Sequence, residues 1–198
     1  MPLRRSLLIL VPTLLLGACA SLMTVTPEVR SFGNWPEGRV AGSYRFERLP
    51  SQEQPLSRAA EWERLAAPAL AKAGLRPAEP GSAADLVVSL GVRVSVSEGD
   101  PWADPLWHRW NAPLYHWRLG LPLRSHPMFI ERRYEREVGV LLRDRASGTA
   151  LYEARASLDG STRGDDRLIA ALFEAALSDF PQARPQSHDV RIALPPAP

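Results

Sequence analysis

Cysteine and lysine are nearly missing from this chain of 198 residues: Cys19 is the only thiol and Lys72 the only lysine. A single cysteine excludes any disulfide within the chain. With lysine gone, the positive charge is carried by arginines that alternate with Glu and Asp throughout. Nucleic-acid binding requires a patch of one sign, so that class of partner is excluded, and pairs such as Arg132-Arg133 and Arg143/Arg145 read as solvated strand edges. Long apolar runs are also lacking. The best one, Leu7 to Leu16, is broken by Pro12 and Thr13. At about 1.5 Å per residue it falls far short of the roughly 30 Å hydrocarbon core, which excludes a transmembrane helix there.

What that run does fit is a signal peptide. Arg4 and Arg5 supply a positive start, the apolar stretch follows, and small residues precede a cleavage point at Leu16-Gly17-Ala18-Cys19. These four residues resemble the lipobox of bacterial lipoproteins. The resemblance implies cleavage before Cys19, acylation of its thiol, and acylation of the new amino terminus. Several acyl chains, at about 0.8 kcal/mol per buried methylene, hold a protein on a membrane where one chain would not. Ala20 and Ser21 follow the cysteine with no Asp beside it, which by the same resemblance implies the outer membrane of a Gram-negative cell, with the domain facing the periplasm. Loss of Arg4 and Arg5 with the signal takes the formal net charge from +2 to zero.

Past residue 18 the length suits one domain. Residues 19–42, rich in Thr, Pro, Gly and Ser, read as a lipidated tether, with Phe32 and Trp35 docking on the domain. Alternation of Tyr44 and Phe46 with Arg45 and Glu47 predicts a strand over Ser43–Leu49. Ser51-Gln52-Glu53-Gln54 fits a capping box that starts a helix carrying Trp62, Leu65, Ala66, Ala69, Leu70 and Ala73 on one stripe and stopping at Gly74. Pro68 inside it predicts a kink or break near Arg64.

Asp85–Ser97 is the strongest strand pattern, with Leu86, Val88, Leu90, Val92, Val94 and Val96 on one face and Ser89, Arg93, Ser95 and Ser97 on the other. One face is covered and the other wet. Tyr134–Asp144 and Thr149–Leu158 read as a hairpin around Arg145 to Gly148. Asp165 or Asp166 caps a second helix bearing Ile169, Leu172, Phe173, Ala176 and Phe180, closed by Pro181. Residues 182–198 read as a flexible Pro-rich tail in which Asp189–Leu194 offers a short edge strand. The fold class expected is α+β: a two-layer sandwich in the order β-α-β-β-β-α, over residues 43–181, with a mixed sheet and two helices on one face.

Tyr44-Arg45-Phe46, Leu70 to Leu75, Ala84 to Val88, and Asp144 with Gly148 before Leu151-Tyr152-Glu153 together resemble the bacterial lipoproteins that carry domain of unknown function 4136. That resemblance implies the fold but brings no catalytic residue and no cofactor.

The insert over residues 98–131 is long for a connection between strands, which means a functional loop or a disordered one. Trp102, Trp107, Trp110, Tyr115 and Trp117 are interleaved there with prolines. Trp and Tyr dominate binding hot spots and sit well at membrane interfaces, so these five are the candidate contacts for an envelope protein, a glycan or the membrane surface. A self-packed satellite core is the competing expectation. Asp100, Asp104, His108, His116 and His126 offer a periplasmic hydrolase or metal-binding enzyme as the alternative. Their spacing matches no familiar ligand pattern, so no metal or other cofactor is implied and a non-enzymatic role is expected.

Overall fold

The computed structural model describes residues 23–98 and 132–194. Within them the chain forms nine strands and two α-helices: β1 (Thr24–Val25), β2 (Glu28–Gly33), β3 (Ser43–Phe46), α1 (Ala59–Lys72), β4 (Arg76–Pro77), β5 (Leu86–Glu98), β6 (Arg132–Asp144), β7 (Ala150–Gly160), α2 (Asp166–Ala176), β8 (His188–Asp189) and β9 (Ile192–Ala193). Seven strands make one mixed sheet in the order β4-β3-β5-β6-β7-β2-β8, and β1 pairs with β9 beside it. The α+β class and the mixed sheet with both helices on one face are as the sequence predicts.

β5 and β6 are the spine. They pair antiparallel over thirteen residues, from Leu86 opposite Asp144 to Glu98 opposite Arg132. The strict alternation of apolar residues sets this register, because a one-residue slip would turn Leu86, Val88 and Leu90 out to water. On the covered face these three stand beside Val138, Val140 and Leu142, all buried. Burial fades along the strand, and Val96 is 45% exposed. β3 lies parallel to β5, as expected of two strands joined through a helix. The β6–β7 turn places Gly148 at φ +72°, the left-handed region that its missing Cβ permits.

Both helices cover this face and touch each other. α2 presents Ile169, Leu172, Phe173 and Ala176 to the core, α1 presents Leu65, Ala66, Ala69 and Leu70, and Lys72 bridges to Glu174 at 2.5 Å. Asp165 caps α2 by accepting from Leu168 N at 3.1 Å. Tyr152, fully buried, donates its hydroxyl to the Ala176 carbonyl at 3.1 Å, satisfying an orphan group at the end of α2. Burial pushes that phenol up to about 12.

Several sequence expectations need correction. The segment expected as a tether supplies β1 and β2, and β2 is an interior strand between β7 and β8. Residues 184–194, expected as tail, supply β8 and β9, so the folded unit extends past residues 43–181 at both ends. The capping box at Ser51 starts no α-helix. Gln52 instead turns back to accept from Leu49 N at 2.9 Å, closing a short 3-10 turn at Pro50–Gln52. α1 begins at Ala59, whose N–H is met by the Ser57 hydroxyl at 3.1 Å. α1 also runs through Pro68 without a break. It ends as expected at Gly74, with φ +83° and bonds from Gly74 N to Ala71 O and from Leu75 N to Leu70 O, both 3.0 Å. Trp35 docks edge-on against Phe180 at 4.7 Å, whereas Phe32 points to the open face and is 44% exposed.

Candidate functional site: a cleft around a buried arginine

Arg136 occupies a core-facing position of β6, in line with Val138, Val140 and Leu142, where the pattern calls for an apolar side chain. It is only 3% exposed. Its Nε donates to Leu158 O at 3.0 Å and its Nη1 to Thr162 O at 2.8 Å. Among the described residues no carboxylate lies within ion-pair distance of it, and Nη2 has no hydrogen-bond partner. Burial lowers the pKa of the guanidinium from its usual value, against the pull of the Asp159 carboxylate. An arginine stays charged even so, which leaves a desolvated cation short of acceptors.

The loop from Gly160 to Asp165 is shaped around this side chain. A Cβ on Gly160 would lie 2.5 Å from Arg136 Nη2, and one on Gly164 would lie 2.6 Å from Leu168 Cδ2 and 3.4 Å from Arg136 Cδ. Gly164 also has φ +79°. Position 164 therefore needs glycine for its backbone conformation, whereas a side chain at Gly160 would have to displace the guanidinium. Above the arginine opens a cleft of about 600 Å³, with Ser161, Thr162, Arg163 and Asp165 on its polar side. Val25, Leu158, Leu168 and Leu194 form the apolar side. The cleft is thus walled by the β7–α2 loop, the start of α2 and the β1–β9 pair.

A second polar cluster invites a catalytic reading and does not support one. Asp179 accepts from the Ser31 hydroxyl at 3.0 Å and contacts His188 Nε2 at 3.2 Å. The carboxylate stands between serine and histidine, so the imidazole has no contact with the hydroxyl it would have to deprotonate. Ser31 is fully buried, and its oxygen already accepts from Arg184 N at 2.8 Å. The cluster fastens residues 184–189 to β2. The open face of the sheet is a lattice of paired charges: Arg93 with Glu137 at 2.7 Å, Arg155 with Glu153 at 3.1 Å, and Arg143 with Glu47. Among the described residues no group of three or more His, Cys, Asp or Glu is placed to hold a metal ion.

No family model matches the chain, and no curated protein matches it. Solved structures do. The chain is similar to a PDZ domain protein from Parabacteroides distasonis, at 10% identity and a TM-score of 0.50, over 86% of this chain and 39% of that one. It is also similar to PelC, solved as a dodecamer from Paraburkholderia phytofirmans, at 18% identity and a TM-score of 0.45, over 82% of this chain and all of that one. At these identities the likeness concerns the fold alone.

The residues singled out from sequence for partner binding, Trp102, Trp107, Trp110, Tyr115 and Trp117, lie outside the described residues, as do Asp100, Asp104, His108, His116, His126 and Cys19. Sequence reasoning did not single out Arg136. The signal was present, because an arginine at an inward position of an alternating strand is a polar group in a core and calls for a reason.

Proposed function

We propose that this chain is an exported lipoprotein, held by lipid on Cys19 on the periplasmic side of a bacterial outer membrane, whose domain works by binding and not by catalysis. The observation that carries the reading is the sequence Leu16-Gly17-Ala18-Cys19 at the end of a short apolar run. The distance to the domain supports it. β1 begins at Thr24, five residues past Cys19, so the linker spans at most about 18 Å at roughly 3.5 Å per residue. Such a linker keeps the domain close to the lipid surface, with the β1–β9 pair nearest the anchor. The binding role is favoured by the way Ser31, Asp179 and His188 are spent on fastening residues 184–189 to β2. The resemblance to lipoproteins with domain of unknown function 4136 is consistent with this reading.

The test is expression of the precursor in a Gram-negative host beside a Cys19→Ala version. The expected result is a mass increase on Cys19 equal to its acyl groups, with recovery in outer-membrane fractions, and loss of both in the variant. A soluble product with an unmodified thiol overturns the proposal.

A further inference from the structure

We infer that the Arg136 cleft binds a phosphodiester, and that the ligand is the headgroup of an anionic membrane phospholipid. The source of the ligand rests on the anchored-lipoprotein reading; the chemistry of the cleft does not.

The chemistry follows from what Arg136 lacks. Of its five N–H groups, one on Nε and one on Nη1 are met by backbone carbonyls of Leu158 and Thr162. Those bonds fix the plane of the guanidinium and leave Nη2 free. The free nitrogen is not sealed in protein, since among the described residues Arg143 Nε is the fully buried side-chain nitrogen without a partner. Nη2 packs against Gly160, in the space that a side chain there would need. An oriented, partly desolvated guanidinium edge is a strong donor to a phosphate oxygen.

The rest of the wall suits the same ligand. Ser161 and Thr162 bring hydroxyls, Arg163 a second cation, and α2 begins at the cleft, its N-terminal dipole favouring negative charge. Val25, Leu158, Leu168 and Leu194 give an apolar wall for the glycerol and first methylenes of a lipid. Two carboxylates also line the cleft, and they set the selectivity. Asp165 is engaged by Leu168 N and by Arg167 at 2.7 Å, but among the described residues Asp159 has no such partner. With Asp165 paired to Arg167, Arg136 and Arg163 stand against Asp159 alone, a balance that favours a single negative charge over a double one. That distinguishes a phosphodiester from inorganic phosphate, which is largely dianionic above neutral pH. Location adds the final argument. Val25 is six residues past Cys19, so the apolar wall stands within about 21 Å of the anchor at roughly 3.5 Å per residue.

The experiment uses the mature full-length protein purified in a nonionic detergent. Dihexanoyl phosphatidylglycerol, below its own micelle concentration, and inorganic phosphate are titrated separately by calorimetry. The expected result is saturable binding of the phosphatidylglycerol, with inorganic phosphate at least tenfold weaker. Arg136→Gln is expected to weaken the lipid at least tenfold. If that variant fails to give a cooperative melt, two others carry the test: Gly160→Ala, which keeps the arginine and crowds Nη2, and Arg163→Ala at an exposed position, expected to lose several-fold. Unchanged lipid affinity in both overturns the proposal. Inorganic phosphate bound as tightly as the lipid overturns the phosphodiester assignment in favour of a free-anion site. Mass analysis of Cys19 on the same sample separates the two readings. Lipid capture by a protein with an unmodified thiol upholds the cleft's chemistry and overturns the anchor, and an acylated protein that captures nothing does the reverse.

Discussion

Asp144 closes β6 and shows how much one surface carboxylate does at a turn. Its Oδ2 accepts from Ser147 N at 2.9 Å and from the Ser147 hydroxyl at 3.0 Å, while Oδ1 meets Arg39 at 2.8 Å. The Ser147 amide first, and then Arg39, pull its pKa from 3.8 down to about 2. A carboxylate whose folded pKa is depressed contributes stability that is complete above its unfolded pKa and disappears as pH falls through the folded one. The window here runs from about pH 4 down to about pH 2. We expect Asp144→Asn to lower stability at pH 7 and to flatten the acid limb in that window, measured by urea unfolding at pH 7, 4 and 2.5. Parallel pH profiles for the two proteins would show that the turn does not depend on the charge. Arg136 makes the opposite case at the same scale, a charge kept where the sheet wants an aliphatic group. Its burial is costly in stability, which is why a ligand is the economical explanation for its place in the core.

At the scale of elements, α1 sets two sequence rules against each other. Pro68 lacks the N–H that would bond the Arg64 carbonyl, yet α1 is continuous from Ala59 to Lys72. Tertiary burial explains this: Leu65, Ala66, Ala69 and Leu70 on either side of the proline are all buried, whereas the Pro68 ring itself is exposed. Pro68→Ala therefore restores a bond and removes little buried surface. It is expected to raise stability by about 1 kcal/mol or more, read as a higher melting temperature; an unchanged or lower value would mean that the proline stiffens the unfolded chain by as much as it strains the helix. The same contest decides which elements were legible. β5 was legible because six aliphatic residues alternate across it, and α2 because a cap precedes a full apolar stripe. β2 was not, because its two inward residues are Val29 and Ser31, and one of these is polar. Ser31 faces inward to meet Asp179, a partner 148 residues away, and no local pattern announces such a contact. The cleft was illegible for a related reason. The Leu158 and Thr162 carbonyls that hold Arg136 sit in another strand and its following loop.

At the scale of the molecule, the two ends of the described chain complete the sheet together. β2 covers the edge of β7 from Glu28 opposite Ser157 to Gly33 opposite Tyr152, and β8 covers β2. Ser31 N bonds Arg184 O at 3.0 Å, Val190 N bonds Pro27 O at 3.0 Å, and Leu194 N bonds Met23 O at 2.7 Å. Val29 is fully buried, and Ile192 is part of the same core. Residues 43–181, which sequence patterning marks as the whole domain, thus end at the wrong places on both sides. A chain cut to those limits exposes one edge of β7 along most of its length, an unpaired row of N–H and C=O groups beside newly bared apolar surface. It also loses the β1–β9 wall of the Arg136 cleft. We expect residues 43–181 to give no cooperative thermal transition by circular dichroism and to elute as aggregate in size exclusion, while residues 23–194 melt in one step with both termini in place. A shorter chain that melts cooperatively as a monomer, within a few degrees of the longer one, would show that the outer strands are appendages and that β3 to α2 is a fold by itself.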